Sequence, residues 1–150
     1  MITKVQSCGV VGVKKVTGTY QVLFCKSRKK GHLSLPKGHK EPGETDIQTA
    51  LRELMEETGH TATRFWSGTD WVTSAEEALL LGEPTYSKGQ EQKSVKFFLA
   101  EIEKVGEIQD TQEIEEVSWF EANEHSGRLL CYPEVQEFFN STVLRVLQDL

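Results

Sequence analysis

Residues 35–59, LPKGHKEPGETDIQTALRELMEETG, constrain the fold of this chain more than any other segment. Prolines and glycines within residues 36–43 exclude a helix there and predict an irregular loop. Thr45 begins a Thr-Asp-Ile-Gln sequence with the spacing of a helix-capping box, and Gly59 is a typical helix end. The predicted helix has one apolar side at the 3.6-residue period, formed by Ile47, Leu51, Leu54 and Met55. The segment therefore predicts a loop followed by an amphipathic helix that packs on a core.

The same helix carries three glutamates, Glu53, Glu56 and Glu57, in an arc of about 100° roughly opposite the apolar side. Like charges three or four residues apart destabilise a helix by about 0.2–0.5 kcal/mol per pair. Arg52 is the one cation placed to offset them, through Glu56. A solvated face is the usual explanation of a glutamate-rich helix. That explanation leaves most of the repulsion uncompensated.

The glycine-rich loop before the helix favours another explanation, a divalent-cation site. Magnesium and manganese prefer several oxygen ligands and keep waters that a substrate phosphate displaces. Lys37, His39 and Lys40 lie in this loop and are predicted to hold phosphate oxygens. A P-loop is excluded, because GHKEPGET has Glu44 where GxxxxGK[ST] has its lysine, and a carboxylate would repel the phosphate.

The remaining segments predict strands joined by turns and a final helix. Residues 76–81 are either one helical turn or part of a loop, and residues 26–34 are a basic, polar loop. Pro133 suits the first position of a closing helix, whose apolar positions are 135, 138, 139, 143, 144 and 147. Strands are predicted at 7–26, as a hairpin turning at Thr17-Gly18, at 61–72, at 84–103 with a turn at Lys88-Gly89, and at 114–120.

Length and charge limit the class of protein. The 150 residues, 37% of them hydrophobic, predict a single domain over residues 1–150. A net charge of -6 repels polyanions, so a nucleic-acid duplex is not an expected partner. Three widely spaced cysteines favour a reducing compartment. The N-terminus has no apolar signal-peptide run, and no stretch reaches the ~20 apolar residues of a membrane span. We therefore expect a cytoplasmic protein.

The loop and helix together match the Nudix box. That pattern is Gly, five residues, Glu, seven residues, Arg-Glu, an apolar residue, any residue, Glu-Glu, any residue, Gly and an apolar residue. His60 departs from it, standing where an aliphatic residue is usual. Every other fixed position is met, by Gly38, Glu44, Arg52, Glu53, Leu54, Glu56, Glu57 and Gly59.

Resemblance to the Nudix hydrolases implies an α/β fold, an α/β/α sandwich around a mixed sheet, and cleavage of a nucleoside diphosphate linked to another group. It implies that Glu53, Glu56 and Glu57 bind Mg2+ or Mn2+, and that Gly38 offers its carbonyl oxygen. Arg52 and Glu44 would complete the catalytic set by bracing the loop against the helix. The metals would polarise a bridging phosphate and lower the pKa of bound water.

About three quarters of the chain also resembles the asymmetrical diadenosine tetraphosphate hydrolases, through SCGVVGV, LPKGHKEPGE, KSVKFFLAEI and EIEEVSWF. The substrate implied is a small dinucleoside polyphosphate, split into ATP and AMP. Leu33 and Ser34 depart from the resemblance, standing where that family often has tryptophan. The resemblance implies phosphate contacts at His32, Lys37 and Lys93, adenine stacking at Tyr86 and Tyr132, and a late metal-side glutamate at Glu113.

Each of these residues also has a simpler explanation. Tyr86 fits an exposed hairpin aromatic, Lys93 a solvated lysine, and Glu113 part of an acidic surface run. His32 fits the cap of a turn. By the two-residue period of a strand, Lys93 and Lys96 lie on opposite faces, so only one of them is expected to reach a ligand.

Other functions remain open at this point. The substrate alternatives are diphosphoinositol polyphosphates, nucleoside triphosphates, nucleotide sugars and capped RNA 5′ ends, the last being the one nucleic-acid partner still considered. The acidic balance disfavours a densely anionic inositol ligand. A further alternative is a nucleotide-sensing module without catalysis, which the intact box glutamates disfavour. We expect a monomer.

Overall fold

The computed structural model describes residues 1–150, and its centre is a mixed sheet. Six strands form the main path in the order β10-β2-β1-β9-β5-β6, and four short strands pair beside it. The strands are Thr3–Val16 (β1), Thr19–Ser27 (β2), Leu33–Ser34 (β3), Lys37–His39 (β4), His60–Trp66 (β5), Trp71–Val72 (β6), Leu80–Gly82 (β7), Thr85–Lys88 (β8), Glu91–Lys104 (β9) and Ile114–Glu121 (β10).

The two longest strands, β1 and β9, are parallel neighbours at the centre of the sheet, from Thr3 opposite Glu91 to Val13 opposite Glu101. The β1–β2 hairpin confirms the sequence prediction. Its turn places Thr17 at φ 51° and Gly18 at φ 82°, the left-handed region that tight hairpin turns require. The remaining neighbours on the main path are antiparallel, so the sheet is mixed as expected.

The box helix, Asp46–Thr58 (α1), lies on one face of the sheet and has the predicted ends. Thr45 and Gln48 form the capping box, and Gly59 ends the helix in the left-handed conformation. Burying a leucine stabilises a fold by about 1.5–3 kcal/mol, and Leu54 is fully buried here. The core on this face consists of Cys8, Val10, Leu23, Ala50, Leu54, Phe65, Phe98, Ala100 and Ile102.

The C-terminal helical segment covers the opposite face. It begins with Pro133 in its first turn and runs through Pro133–Phe138 (α3), a π-helical stretch Phe139–Val143, and Leu144–Gln148 (α4). All six of its predicted apolar positions are buried, at Val135, Phe138, Phe139, Val143, Leu144 and Leu147. Helices on both faces of one mixed sheet confirm the predicted α/β/α sandwich.

Several local predictions need correction. The loop predicted over residues 36–43 contains β4, which pairs antiparallel with β1 from Ser7 to Gly9. The polar loop at 26–34 begins and ends in strand, at β2 and β3. Residues 76–81 combine one 3₁₀ turn at Ala75–Glu77 with the start of β7.

A short helix, Glu124–Gly127 (α2), was missed. Asn123 and Ser126 form its capping box, a signal present in the sequence but followed by too short an apolar run to predict a helix. No helix of the structure is both long enough and apolar enough to cross a membrane.

Candidate active site

A cavity of about 560 Å³ opens on the side of the sheet that carries the C-terminal helical segment. Five parts of the chain form its wall: the β2–β4 region, Glu57 of α1, β8 and β9, the loop leading into β10, and residues 130–135. Its ionisable and aromatic lining includes the carboxylates Glu57, Asp110 and Glu113, the cations Lys29, Lys30, Lys37, Lys88 and Lys93, and His32, Tyr86 and Tyr132. Opposite charges and aromatic rings therefore share one cavity.

Glu57 brings a carboxylate from α1 into this cavity. It is only 5% exposed, so the solvated-face explanation of the helix glutamates is wrong for this residue. The backbone N–H of Lys37 on β4 donates to Glu57 Oε1 at 3.0 Å. Burial nevertheless raises the pKa of the Glu57 carboxyl to about 8, because an ion loses hydration in a low-dielectric site.

Glu53 lies one helical turn before Glu57, against the backbone of β4. A Cβ placed on Gly38 would overlap the Glu53 carboxylate, so glycine is required for this close approach. Burial raises the pKa of Glu53, while a hydrogen bond from Arg52 acts in the opposite direction. The Glu53 carboxylate and the Gly38 backbone are thus neighbours, as the box pattern implies.

Arg52 compensates the helix glutamates more fully than the sequence suggested. Its Nε donates to Glu44 Oε2 at 2.7 Å, and its Nη1 lies 2.9 Å from Glu53 Oε1 and 3.1 Å from Glu56 Oε2. Its Nη2 donates to the carbonyl oxygen of His39 at 2.8 Å. The planar guanidinium can serve several acceptors at once. Arg52 therefore ties the loop to the helix and offsets Glu53 and Glu56.

Glu44 is the loop side of this brace. The hydrogen bond from Arg52 lowers the pKa of Glu44 to about 2, helped by the backbone N–H of Glu41. Thr49 also donates to Glu44 Oε1, at 2.9 Å. The carboxylate that excludes a P-loop thus serves as a structural anchor, and it does not line the cavity.

The loop before β10 delivers Glu113. The backbone N–H groups of Gln109 and Asp110 donate to the carbonyl oxygen of Glu56 at 3.0 and 2.9 Å, which docks the loop on the end of α1. The Glu113 N–H donates to Asp110 Oδ1 at 3.2 Å. Burial raises the pKa of Glu113, and Asp110 adds to the rise. The charge of Glu113 also raises the pKa values of Glu53 and Glu57.

Asp110 was missed by the sequence analysis. It lines the cavity beside Glu113, but in the sequence it stands only in an acidic run on a loop. Lys29, Lys30 and Lys88 were missed for a similar reason, since isolated lysines on polar turns carry no functional signal. Only the packing of these loops around one cavity identifies them.

Lys93 and Lys96 lie on opposite faces of the sheet, as the strand period predicted. Lys93 lines the cavity with a side chain only 15% exposed. Burial lowers the pKa of Lys93, and the charges of Lys37 and Lys88 lower it further. Lys96 instead pairs with Asp46 at 3.1 Å. Lys37 and Lys93 are thus the cavity lysines whose charges act on the cavity carboxylates.

His39 and Lys40 do not join them. His39 is exposed and is absent from the cavity wall, so the structure does not support its predicted contact with phosphate. Lys40 pairs with Asp46 at 3.2 Å, on the α1 side of the sheet. His32 does line the cavity, and its Nδ1 lies 3.1 Å from the Sγ of Cys131.

Tyr86 and Tyr132 stack directly on each other. Their ring centroids are 4.0 Å apart and the ring planes differ by 20°. Tyr86 is 3% exposed, and burial raises its pKa to about 12. The exposed-hairpin explanation of Tyr86 is therefore wrong. The rings are in contact, so a base can enter between them only if Tyr132, the less buried partner, moves aside.

The model of the NUDIX domain family matches residues 6–139. This chain belongs to the Nudix family. Its relatives include the asymmetrical bis(5′-nucleosyl)-tetraphosphatase of Caenorhabditis elegans, 30% identical over 132 residues, which are 87% of this chain and 88% of that protein. The enzyme of the same name from Mus musculus is 35% identical over 92 residues, 59% of this chain. The match spans only 54% of the mouse protein and 58% of the rat protein.

Solved structures agree on the Nudix fold. The C. elegans Ap4A hydrolase binary complex superposes with a TM-score of 0.75 at 24% identity, covering 97% of this chain and 99% of that one. A second structure of the C. elegans Ap4A hydrolase gives a TM-score of 0.69 at 26% identity, covering 99% and 98%. A NUDIX hydrolase from Nitrosomonas europaea gives a TM-score of 0.65 at 23% identity, covering 91% of this chain and 86% of that one.

The carboxylates of this Nudix site suit a divalent cation in their chemistry. Glu53, Glu57 and Glu113 offer carboxylate oxygens, and the charge of Glu113 raises the pKa values of Glu53 and Glu57. A bound cation would relieve this repulsion. No three carboxylate, histidine or cysteine groups converge into a ready-made metal cluster, and Glu53 is held by Arg52. The donor types therefore suit a hard divalent cation, although they are not gathered around one point.

Proposed function

We propose that this chain is a divalent-cation-dependent hydrolase of dinucleoside polyphosphates, and that it splits diadenosine tetraphosphate into ATP and AMP. One observation carries the proposal: carboxylates, lysines and an aromatic pair line the same cavity. These are the groups that a metal, a polyphosphate chain and a purine base require. The similarity to tetraphosphatases along 87% of the chain supports this substrate class.

In this proposal Glu53, Glu57 and Glu113 hold Mg2+ or Mn2+, with Glu56 and the Gly38 carbonyl as further oxygen donors of the box. The bound cation supplies Lewis-acid chemistry, polarising a phosphate and lowering the pKa of a water. Glu57 is fixed by the Lys37 N–H. Arg52 and Glu44 keep the loop on the helix, so the carboxylates keep their positions when the substrate arrives.

The lysines hold the polyphosphate chain. Lys37 and Lys93 supply two positive charges on the cavity wall, and His32 adds a polar contact. Charge-assisted hydrogen bonds to phosphate are about twice as strong as neutral ones. Because Lys93 is largely buried, its charge is poorly screened by solvent. These residues therefore orient the anhydride that is to be cleaved.

The aromatic pair accounts for unequal cleavage. Tyr86 and Tyr132 form one base-stacking site, which accepts one adenine when Tyr132 moves. A base held there places the phosphates in a fixed order relative to the carboxylates, so the attacked phosphorus lies away from the middle of the chain. Unequal products, ATP and AMP, follow from that arrangement.

The free cysteines support a reducing compartment, which we propose to be the cytoplasm. The structure has no disulfide, and Cys8 and Cys25 are buried as thiols. Unpaired cysteines are typical of proteins kept in reducing conditions. We propose that the protein acts as a monomer.

A substrate panel tests the proposal. Diadenosine tetraphosphate, a diphosphoinositol polyphosphate, a nucleoside triphosphate, ADP-ribose and capped RNA are incubated with protein and Mg2+, and the products are separated by chromatography. We expect the highest kcat/KM for diadenosine tetraphosphate, with ATP and AMP in equal amounts. A higher value for any other substrate, or two molecules of ADP as product, contradicts the proposal.

Binding and turnover must be measured together to separate an enzyme from a nucleotide sensor. Calorimetry of diadenosine tetraphosphate with Ca2+ in place of Mg2+ reports binding, and the Mg2+ assay reports hydrolysis. We expect both. Tight binding without hydrolysis under any divalent cation would identify a sensing module.

A further inference from the structure

The cavity wall contains a thiol–imidazole pair that the proposed hydrolysis does not use. Cys131 Sγ lies 3.1 Å from His32 Nδ1, although the residues are 99 positions apart in the chain. Both line the cavity, and the thiol is only partly buried. An imidazole within hydrogen-bonding distance is the arrangement that activates cysteine nucleophiles.

Backbone contacts hold the pair in place. The Cys131 N–H donates to the Leu33 carbonyl oxygen at 3.0 Å, and Leu33 and Leu130 form a parallel bridge. The His32 N–H donates to Ser27 Oγ at 3.1 Å. The contact between the side chains therefore follows from the way residues 130–131 dock on β3.

Three lysines, Lys29, Lys30 and Lys88, line the same cavity as the pair. Cys131 is also open to small reagents from the cavity. The site thus combines access, a proton acceptor and positive charge.

The other two cysteines lack access from solvent. Cys8 is 3% exposed, and burial together with Asp46 raises its pKa to about 11. Cys25 is fully buried in the sheet, and burial raises its pKa well above the ordinary value. Both are expected to stay unreactive while the protein is folded. The chain therefore offers one reactive thiol and two internal controls.

We propose that Cys131, assisted by His32, is a modification site for hydroperoxides and other small electrophiles. With a hydroperoxide, the thiol proton passes to His32 Nδ1 and the sulfur attacks the terminal peroxide oxygen. The S–O bond forms as the O–O bond breaks, and the leaving oxygen takes the proton to become water or an alcohol. Sulfur is oxidised by two electrons to a sulfenic acid, and the peroxide is reduced by two.

The modification has a consequence for the cavity. Cys131 immediately precedes Tyr132, whose ring stacks on Tyr86. An adduct on Cys131 takes up space beside this pair and beside His32. Ligand binding in the cavity is therefore expected to weaken, a consequence that rests on the proposed function, whereas the thiol reaction does not.

Labelling kinetics test the chemical step. Folded wild-type protein is treated with N-ethylmaleimide, and separately with hydrogen peroxide and dimedone, and the adducts are located by peptide mass spectrometry. We expect one adduct, on Cys131, with Cys8 and Cys25 labelled only after denaturation. His32→Gln should slow the labelling of Cys131 by about tenfold. His39→Gln, which alters an exposed histidine outside the cavity, should leave the rate unchanged.

Labelling of Cys131 at the same rate in His32→Gln and wild type overturns the activating role of His32. Labelling of Cys8 or Cys25 first overturns the site itself. Circular dichroism of each variant shows whether it is folded, and Cys131→Ser should take up no label in the folded state.

The effect of the adduct on ligand binding is tested by the fraction of each protein's own hydrolytic activity that survives peroxide. Wild type should lose most of its activity and Cys131→Ser should keep it. Equal losses of activity in the two proteins overturn this effect but leave the labelling result standing. Absence of hydrolysis before treatment counts against the proposed function alone.

Discussion

The backbone N–H of Lys37 donates to the carboxylate of Glu57 at 3.0 Å, and this bond helps to join β4 to α1. It orients a carboxyl whose pKa burial raises to about 8. A side chain that is costly to ionise has been retained in the interior. A divalent cation, as proposed above, would offset this cost when bound.

The raised pKa of Glu57 predicts how stability depends on pH in metal-free protein. Between its ordinary pKa of 4.5 and the folded-state pKa of about 8, the native state binds more protons than the unfolded state. The free energy of unfolding therefore falls as pH rises through this window, by on the order of a few kcal/mol. Glu57→Gln has no carboxyl to titrate at this position, so its free energy of unfolding should not show this part of the decrease with pH.

Urea denaturation at intervals from pH 4.5 to 9, with a chelator present, measures this. Glu103→Gln, which changes an exposed glutamate on β9, is the matched control and should follow wild type. Identical slopes for wild type and Glu57→Gln would show that burial does not shift this carboxyl.

Lys93 and Lys96 of β9 give a second prediction, because they differ in face and in partner. Lys93→Met removes a charge from the cavity and should raise KM for a dinucleoside polyphosphate by about tenfold or more. Lys96→Met breaks a pair with Asp46 on the other face and should leave KM unchanged while lowering the melting temperature slightly. Equal KM values for the two variants would remove Lys93 from the binding site.

Two glycines of the box loop should respond differently to alanine. A Cβ on Gly38 overlaps the Glu53 carboxylate, so Gly38→Ala should displace that carboxylate and reduce kcat strongly. Gly43 has φ 83° and nothing within 4 Å of an added Cβ. Gly43→Ala should therefore cost about 1 kcal/mol of stability through backbone strain and retain kcat. Steady-state kinetics and melting curves separate the two effects, and full kcat in Gly38→Ala would contradict the placement of Glu53.

The tyrosine pair gives a fourth prediction. If Tyr132 moves aside to stack on adenine, Tyr132→Ala should raise KM by about tenfold, since base–aromatic stacking contributes about 1–3 kcal/mol. kcat should change little. Tyr20→Ala removes a partly buried tyrosine away from the cavity and controls for stability. An unchanged KM in Tyr132→Ala would mean that the base binds elsewhere.

The sequence was most informative where local chemistry decides the structure. Thr45 and Gly59 fix the ends of α1 through capping and a left-handed conformation. Both signals depend only on residues that are close together in the sequence. The apolar positions from Val135 to Leu147 likewise predicted the buried side of the closing segment. These features need no knowledge of distant partners.

The sequence was least informative where distant segments meet. The helical period placed Glu57 with the other glutamates, but β4 covers it, and that strand was predicted as loop. Helical spacing alone gave Arg52 one partner, Glu56, and the family resemblance added Glu44. The structure shows that the loop also brings the His39 carbonyl within its reach. Asp110 enters the site only because its loop docks on α1. Such contacts depend on tertiary packing, which no local pattern encodes.

The most direct test of the account is hydrolysis of diadenosine tetraphosphate while Mg2+ is titrated from chelated to saturating levels. Wild type and Glu103→Gln should release ATP and AMP only when Mg2+ is present. Glu57→Gln should be slower by about a hundredfold or more at every Mg2+ concentration. Turnover by Glu57→Gln at the wild-type rate, or by wild type in excess chelator, would contradict the account.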